Sequence, residues 1–435
     1  MSNDTKLLLE IEDPNIKIIE NSATLSPYDH IIRLEALLDY RPKACYQCGS
    51  INTNQIIRYG WRNTTVELTS TYERPTRINL KRRYFHCKTC HSYFLAQTPL
   101  VAKNCSISNN TRKACLNKLQ DIVSMTHIAS ELATSNNYVM RVLESAAADL
   151  QPDLTTLPEV LLLDEIKTTD GSLSFEYMDG ESHLLIDLVC ARTVHQVSNY
   201  FMRYTKAARD NVKVIVTDMN YTYPKLARTV FPNAVVLYDR FHIVQSLVRA
   251  FNKTRIQLMK QFSTSSKTYK QLKRYWKLLL KPLGNLDFKH FHHWSYFDHW
   301  LSETDVVDQL LAINPVLKST YEVLQRLMSA TRNRHWSDFK LALSQESTTS
   351  DLFQISLQNL IKNQSYVENA LRYNYSNGPL EGTNNKIKNI KRNAYGYRNF
   401  RHFRLRVLFV LKFQNKKEVI VIDDNYFHIE TTNNS

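Results

Sequence analysis

Two short apolar runs that each end in an aspartate constrain this chain more than any other feature. Val160-Leu-Leu-Leu163 is followed by Asp164, and Val212-Lys-Val-Ile-Val-Thr217 by Asp218. Both runs read as strands. A third acid, Glu381, stands in Asn377-Gly-Pro-Leu-Glu-Gly-Thr-Asn-Asn-Lys386, where a basic helix begins. Two strand-end aspartates and a distant helical glutamate suit a two-metal site for cutting and joining phosphodiesters. Two carboxylates held close repel strongly unless a cation sits between them. Magnesium takes hard oxygen ligands and keeps positions open for water and phosphate.

The segments around these acids predict a sheet that would bring them together. Val160–Glu165, Ser172–Met178 and Ser182–Arg192 read as three strands, with Asp179-Gly180 as a hairpin signal between the last two. A helix is expected over His195–Arg203, a strand over Val212–Asp218, a helix over Tyr223–Val230 and a strand over Ala234–Tyr238. A long basic helix follows from Phe241 to about Lys260. Three antiparallel strands followed by alternating helix and strand describe an α/β core of the RNase H-like kind. In that topology the first and fourth strands are parallel neighbours, so Asp164 and Asp218 end side by side, where sheets of this type hold ligands.

Neighbouring acids read differently. Glu165 follows Asp164 on the same strand and so faces the other way. Asp170 and Asp179 fit turns, and Asp187 lies mid-strand, either buried or at an edge. Asp239, in Asp239-Arg-Phe-His242, is placed to cap the helix after it. Asp239 and His242 are expected to stand behind the metal ligands. On the final basic helix, Glu381, Asn384 or Asn385, Lys388, and Lys391 or Arg392 recur every three or four residues and share one face. That face would align a metal ligand with phosphate-binding groups, while Leu380, Ile387, Ile390 and Ala394 face inward.

The seven cysteines point to a second metal site. Cys45-Tyr-Gln-Cys48 and Cys87-Lys-Thr-Cys90 bracket a segment with strand character at Gln55–Trp61, Thr64–Thr71 and Arg77–Phe85. Two such knuckles around short strands describe a zinc ribbon, in which four thiolates close a tetrahedral Zn²⁺ site and supply folding energy to a small module. Cys105, Cys115 and Cys190 are left over, and an odd count fits a reducing compartment better than a disulfide framework. The bases Arg58, Arg62, Arg74, Arg77, Lys81, Arg82 and Arg83 suit either phosphate contact or a solvated face.

Helices are expected at Thr111–Val123, Thr126–Ala133 and Asn137–Ala148, with a tight turn at Thr134–Asn136 and Ile128, Leu132, Val139 and Val142 inward. That pattern matches a helix-turn-helix or, alternatively, a small linking bundle. In the first reading Asn136, Asn137, Tyr138 and Arg141 are the candidates to touch DNA.

Charge and length set the wider frame. The 435 residues carry 56 Lys+Arg against 41 Asp+Glu, a net +15, and that excess implies a polyanionic partner, most simply nucleic acid. No apolar run approaches a bilayer span and the acidic N-terminus lacks a signal-peptide pattern, so a soluble intracellular protein is expected. Only 8 glycines occur, consistent with few tight turns and many helices. The expected domains are a lead-in over 1–40 (Ile31, Leu34, Leu37 and Leu38 at helical spacing) and a zinc ribbon over 41–100. A helix-turn-helix follows over 106–150, then the first part of the core over 158–262 and a helical insertion over 263–370. The second part of the core is expected over 371–415 and a disordered tail over 416–435. In the insertion, Phe291-His-His-Trp-Ser-Tyr-Phe-Asp-His-Trp300 and Arg332-Asn-Arg-His-Trp336 stand out as packing aromatics without metal-ligand spacing.

Leu161-Leu-Leu-Asp-Glu165, Val214-Ile-Val-Thr-Asp-Met219, Tyr238-Asp-Arg-Phe-His-Ile243, Ser376-Asn-Gly-Pro-Leu-Glu-Gly-Thr-Asn-Asn-Lys-Ile-Lys388 and Tyr395-Gly-Tyr-Arg-Asn-Phe400 resemble DDE transposases of bacterial insertion sequences, specifically the ISL-three family. The four-cysteine ribbon and following helices are also similar to that family's arrangement, so the resemblance covers about 40–415. It implies a triad of Asp164, Asp218 and Glu381 on an RNase H-like fold with two Mg²⁺ ions, Mn²⁺ being an alternative. It also implies binding of terminal inverted repeats and target DNA, strand cleavage and transfer, at least a dimer on DNA, and a cytoplasmic, nucleoid-associated bacterial setting. The competing readings are a DNA-binding regulator derived from a transposase and a structure-selective nuclease.

Overall fold

The computed structural model describes residues 2–71, 73–191, 193–219, 222–345, 349–414, 418–423 and 426–431. It forms two compact units: Met1–Gln151 with Thr168–Ser172 and Asn385–Ser435, and Pro152–Lys167 with Leu173–Asn384. No helix among the described residues is long and apolar enough to cross a membrane.

The first unit begins with a short helix, α1 (Ser2–Leu8), and a sheet of six strands: β1 (Ile16–Ile18), β2 (Thr24–Leu25), β3 (Ile32–Leu38), β4 (Ile56–Thr71), β5 (Arg74–Cys87) and β6 (Tyr93–Leu95). The order is β1-β3-β5-β4, with β2 on β3 and β6 on β5. The segment holding Leu34, Leu37 and Leu38 is therefore a strand, not the expected helix. Its buried residues fall at every second position, Leu34, Ala36 and Leu38, and it pairs in parallel with β5 from Ile32↔Thr76 to Leu38↔Arg82. Burial on a period of two selects strand over helix once a neighbouring strand offers a ladder. Between the two cysteine pairs, the three expected strands are two long ones, β4 and β5, paired antiparallel from Ile56↔Cys87 to Thr71↔Arg74.

Three helices follow: α2 (Asn109–Lys118), α3 (Met125–Glu131) and α4 (Asn136–Ala146). Each is opened by a serine, Ser108, Ser124 or Ser135, whose hydroxyl accepts from a backbone N–H three residues on. Ile128, Leu132, Val139 and Val142 are buried between them. The range 371–415 divides between the units at Asn384 and Asn385. Its last helix, Phe400–Gln414, lies in this first unit because Arg406 is buried there, its guanidinium donating to the carbonyls of Leu119, Asp121 and Val123. The segment expected to be a disordered tail contains an antiparallel pair, Glu418–Asp423 with Tyr426–Thr431. The β-branched run Val419-Ile-Val-Ile422 gives it strand propensity.

The second unit is built on five strands: β7 (Val160–Lys167), β8 (Leu173–Asp179), β9 (Leu185–Val189), β10 (Val214–Thr217) and β11 (Val235–Tyr238), in the order β11-β10-β7-β8-β9. β7, β8 and β9 pair antiparallel, while β10 lies parallel to both β7 and β11. The turn after β8 needs a glycine, since a Cβ on Gly180 would lie 2.4 Å from Val160 Cγ1. Both faces of the sheet are covered. Leu161, Leu163, Phe175, Tyr177 and Ile215 pack with α5 (Val194–Phe201), α6 (Lys206–Asn211) and α7 (Thr222–Val230) through Phe201, Ala208 and Leu226. Val160, Leu162, Met178, Val214 and Val216 pack with α8 (Arg240–Met259) through Ile243, Leu247 and Phe251. Behind α8 lie the helices between Lys267 and Arg372, which contribute Leu324, Phe339, Phe353 and Leu357 to the same core. The histidine-rich stretch folds as a short hairpin, His292–His293 against Trp300–Leu301, with Trp294 Nε1 donating to the Leu301 carbonyl at 2.8 Å.

Candidate active site

Strand alternation decides which acids meet. On β7, Val160 and Leu162 face α8 and Leu161 and Leu163 face α5–α7, so Asp164 falls on the α8 side and Glu165 on the other. On β10, Val214 and Val216 face α8, so Asp218 shares that side. β7 and β10 are parallel and in register at Val216↔Leu162, two residues before each aspartate, which sets Asp164 and Asp218 side by side at the carboxyl ends of adjacent strands. Asp239 follows β11, the next strand out, and its N–H donates to the Thr217 carbonyl at 2.9 Å.

His242, in the first turn of α8, reaches Asp218: Nε2 lies 2.8 Å from Oδ1. Asp164 Oδ2 accepts from Asn384 Nδ2 at 2.8 Å, and Oδ1 accepts from the Glu165 N–H at 2.7 Å. Burial, and then the neighbouring charge of Asp218, push the Asp164 carboxyl up to about 6. Burial likewise raises Asp239, and the hydrogen bond to Asp218 raises His242 against its own desolvation. Asp239 holds the N-cap position of α8, and the N–H groups of Asn377 and Phe241 draw its carboxyl down against its burial. Its Oδ1 is buried without a hydrogen-bond partner, as are Asn377 Oδ1 and Asn384 Oδ1. The site thus keeps acceptor oxygens that no protein donor satisfies.

Glu381 lies in the first turn of the helix Gly378–Asn393, where a carboxylate complements the helix dipole. It is exposed, and Asn384 is one turn later on the same face. Among the described residues no group of three carboxylates or histidines here has all its ligand atoms within 4.8 Å of one another. The structure therefore joins Asp164 to Asn384 and Asp218 to His242 by contact, sets the two aspartates at the ends of neighbouring strands, and leaves Glu381 one helical turn from Asn384. Lys388, Lys391 and Arg392 fall in the other unit. There Lys388 and Arg392 are exposed, and Lys391 donates to the Thr168 carbonyl.

Three residues here escaped sequence reasoning. Asn377 Nδ2 donates to the Leu163 carbonyl at 3.0 Å, tying the approach of the Glu381 helix to β7 just before Asp164. Tyr223 donates to Glu165 Oε1 at 2.6 Å on the back of the same strand. Glu176, fully buried, is the β8 register partner of Asp164. Only the presence of Asn377 in the Glu381 motif could have flagged it; the other two depend on strand register. Asp187, mid-strand on β9, is buried and accepts from Tyr200 at 2.5 Å.

In the first unit the four cysteines converge as their spacing predicts. Cys45, Cys48, Cys87 and Cys90 place all four Sγ atoms within 4.8 Å of one another, with Cys45–Cys90 at 3.7 Å and Cys48–Cys87 at 3.9 Å. A tetrahedral Zn–S length of about 2.3 Å requires S···S edges of about 3.8 Å. Although desolvation opposes it, the N–H groups of Cys48 and Gln47 draw the Cys45 thiol down to about 6, favouring thiolate. Part of the expected basic set is spent within the module: Arg58 and Arg83 pair with Asp39, Arg77 with Glu67, and Arg82 donates to the Ala96 carbonyl. Arg62, Arg74 and Lys81 remain exposed. On α4, Asn136, Asn137 and Arg141 are exposed, while Tyr138 is half-buried and its phenol is raised by desolvation.

A family model described as "Transposase", that of the ISL3 group of DDE transposases, matches residues 161–407, more than half of the chain. The chain belongs to the ISL3 family of DDE transposases. It is similar to the transposase for insertion sequence element IS1001 of Bordetella parapertussis, with 23% identity over 384 residues, 83% of this chain and 87% of that protein. A Lactococcus lactis subsp. lactis protein described as an ATP-dependent protease is 41% identical over 108 residues, 25% of this chain and 35% of that protein. The chain thus spans about a third of that second relative. The family match runs from β7 into the last helix and includes the strand-end aspartates and the Glu381 helix of this transposase.

Proposed function

We propose that this transposase cuts and rejoins DNA at the ends of its insertion sequence on an RNase H-like sheet, with Asp164, Asp218 and Glu381 as ligands for divalent cations. The observation that carries the reading is the parallel, in-register pairing of β7 and β10, which ends in two adjacent aspartates. The donor set fits a hard cation: carboxylates and amide oxygens, with Asn384 Oδ1 and Asp239 Oδ1 buried and unpartnered. Two Mg²⁺ ions, or Mn²⁺, bound there would polarise the scissile phosphate and activate water and then a 3′-hydroxyl for in-line attack. The protein's own part is geometric. β7 and β10 hold Asp164 and Asp218, His242 orients Asp218, Asn384 orients Asp164, and the helix carries Glu381 one turn away. Asp239 adds negative charge behind them.

In the same reading α3 and α4 form a helix-turn-helix that recognises the terminal repeats. Asn136, Asn137 and Arg141 face the DNA, with Tyr138 as their partly buried support. The cysteine cluster holds a structural Zn²⁺. Lys388, Lys391 and Arg392 bind phosphates, and pairing of two DNA ends calls for at least a dimer.

The test uses a labelled duplex carrying the element's end, in Mg²⁺ or EDTA, with the wild type, Glu381→Gln and Asp218→Asn. Nicking that needs Mg²⁺ and both acids, with end binding retained in the variants, is the expected result. Losses of at least about 10²–10³-fold are expected, the size of preorganised electrostatic terms. Full cleavage by Asp218→Asn in Mg²⁺ would remove that ligand assignment. Binding without nicking under any metal would make the protein a regulator.

A further inference from the structure

A cavity of about 990 Å³ opens beside the first turn of α8, in the same unit as the aspartates. Among the described residues four arginines line it, Arg240, Arg326, Arg332 and Arg334, against one acid, Glu322. Their hydrogen bonds go to neutral partners. Arg240 donates to the carbonyls of Ala370, Tyr373 and Tyr375, Arg326 to Gln345 Oε1 and Arg334 to Asn374 Oδ1. Arg332 is exposed, and Arg334 sits in a left-handed C-cap of the helix Pro315–Asn333, where the helix end favours cations. Arg240 is also faced by the charge of Asp239, so the positive excess left for an anion from outside lies with Arg326, Arg332 and Arg334 against Glu322.

The cavity also has an apolar wall. Phe241 is 51% exposed and Leu283 is 56% exposed, and both line it. An aromatic side chain left in water beside unneutralised guanidiniums suits a base and its phosphates together. The Phe241 ring packs edge-on against His242 at 5.4 Å, and His242 touches Asp218.

We propose that this cavity binds an unpaired nucleotide of the DNA strand being processed, with its base on Phe241 and its phosphates on Arg332 and Arg334. The proposal rests on the transposase reading and adds a site to it. An end nucleotide drawn out of the stack into this cavity leaves the adjoining phosphodiester free to approach Asp164 and Asp218.

Binding of a short fluorescein-labelled oligothymidylate, followed by anisotropy over a salt series, tests it. The wild type should bind, and Phe241→Ala should weaken binding roughly ten-fold, the loss of one stacked base. Phe241→Trp should retain binding. Arg332→Ala with Arg334→Ala should reduce the salt slope by about 1.4, two single-strand phosphate contacts. Thermal melting of each variant separates loss of the site from loss of the fold. Wild-type affinity in both sets of well-folded variants, or no oligothymidylate binding by the wild type, would overturn the proposal. Nicking of the duplex end by the wild type is measured alongside. Nicking with variant-insensitive oligothymidylate binding defeats the cavity alone. Phe241-dependent binding without nicking defeats the catalytic reading and leaves the cavity standing.

Discussion

The cysteine cluster of one unit and the strand-end carboxylates of the other are both built from residues that hold metals, and they are arranged in opposite ways. The four sulfurs lie within 4.8 Å of one another, set by the ends of β4 and β5 and the turns beside them. The carboxylate site brings two acids side by side and leaves the third, Glu381, exposed on a helix. Closure suits a structural ion, whose work is done once all four ligands are satisfied. An incomplete shell suits chemistry, where phosphate and water must enter. The electrostatics differ in the same sense. Backbone N–H groups pull Cys45 down toward thiolate, while burial and Asp218 push Asp164 up to about 6. In the first site donors prepare Cys45 for an ion while the facing thiols push Cys48 up, and in the second burial and then the charge of Asp218 raise Asp164, a cost that an ion would relieve.

The sharpest way to break this contrast is Cys87→Ser. Cys87 is the last residue of β5 and is fully buried, so a lost ligand there strikes the sheet as well as the cluster. Structural zinc contributes roughly 10–16 kcal/mol of apparent binding free energy in small zinc modules. The variant should lose its zinc by elemental analysis, and the first unit should become the first to be digested by protease. A zinc-free variant with an unchanged digestion pattern and melting curve would show that the cluster is not what holds this sheet.

Asp164→Asn should act in the opposite direction. A carboxyl raised in the folded state contributes stability that is present below its unfolded value, near 3.9, and is lost as pH rises through about 6. Without metal, the asparagine variant should therefore melt with the wild type near pH 4 and several degrees above it at pH 7. Asn384 can turn its free Oδ1 toward the new amide and keep the contact. Saturating Mg²⁺ should reverse the order, because only the wild type gains stability from the ion. Melting curves at the two pH values, with EDTA or Mg²⁺, decide it, and a pH-independent difference would remove the repulsion argument.

The two sites were not equally legible in the sequence. Two Cys-x-x-Cys pairs bracketing short strands are the ligand pattern of a zinc ribbon, so their convergence was legible in the sequence. Asp164 and Asp218 were legible because each ends an apolar run, and one parity rule then put Glu165 on the opposite face. Asn377, Tyr223 and Glu176 were not, because their roles depend on which strand or helix lies alongside, and that information is non-local. Ile32–Leu38 misled for a related reason: Leu34, Leu37 and Leu38 satisfy a helical period as well, and only β5 alongside selects the strand. Its position after the Glu381 motif groups the final helix with the core, and the partners of Arg406, three backbone carbonyls of the first unit, carry no signature in the sequence.

The smallest expected effect sharpens the comparison from behind. Tyr223 is buried against the back of β7, and its hydroxyl donates to Glu165, the residue next to Asp164. Tyr223→Phe keeps the ring in its core among Phe175 and Leu226 and removes only the donor. Glu165 is exposed, so water can replace the lost partner, and the cost should fall near about 1 kcal/mol, the net value of one hydrogen bond. Cleavage should stay within about two-fold of wild type, since that loss is taken by the fold and not by the transition state. A cleavage defect beyond about ten-fold with an unchanged melting curve would mean that this bond fixes the twist of β7 where Asp164 leaves it. The carboxylate site would then extend through the strand to its far face. Its rigidity would come from the sheet, as that of the cysteine cluster comes from its own four ligands.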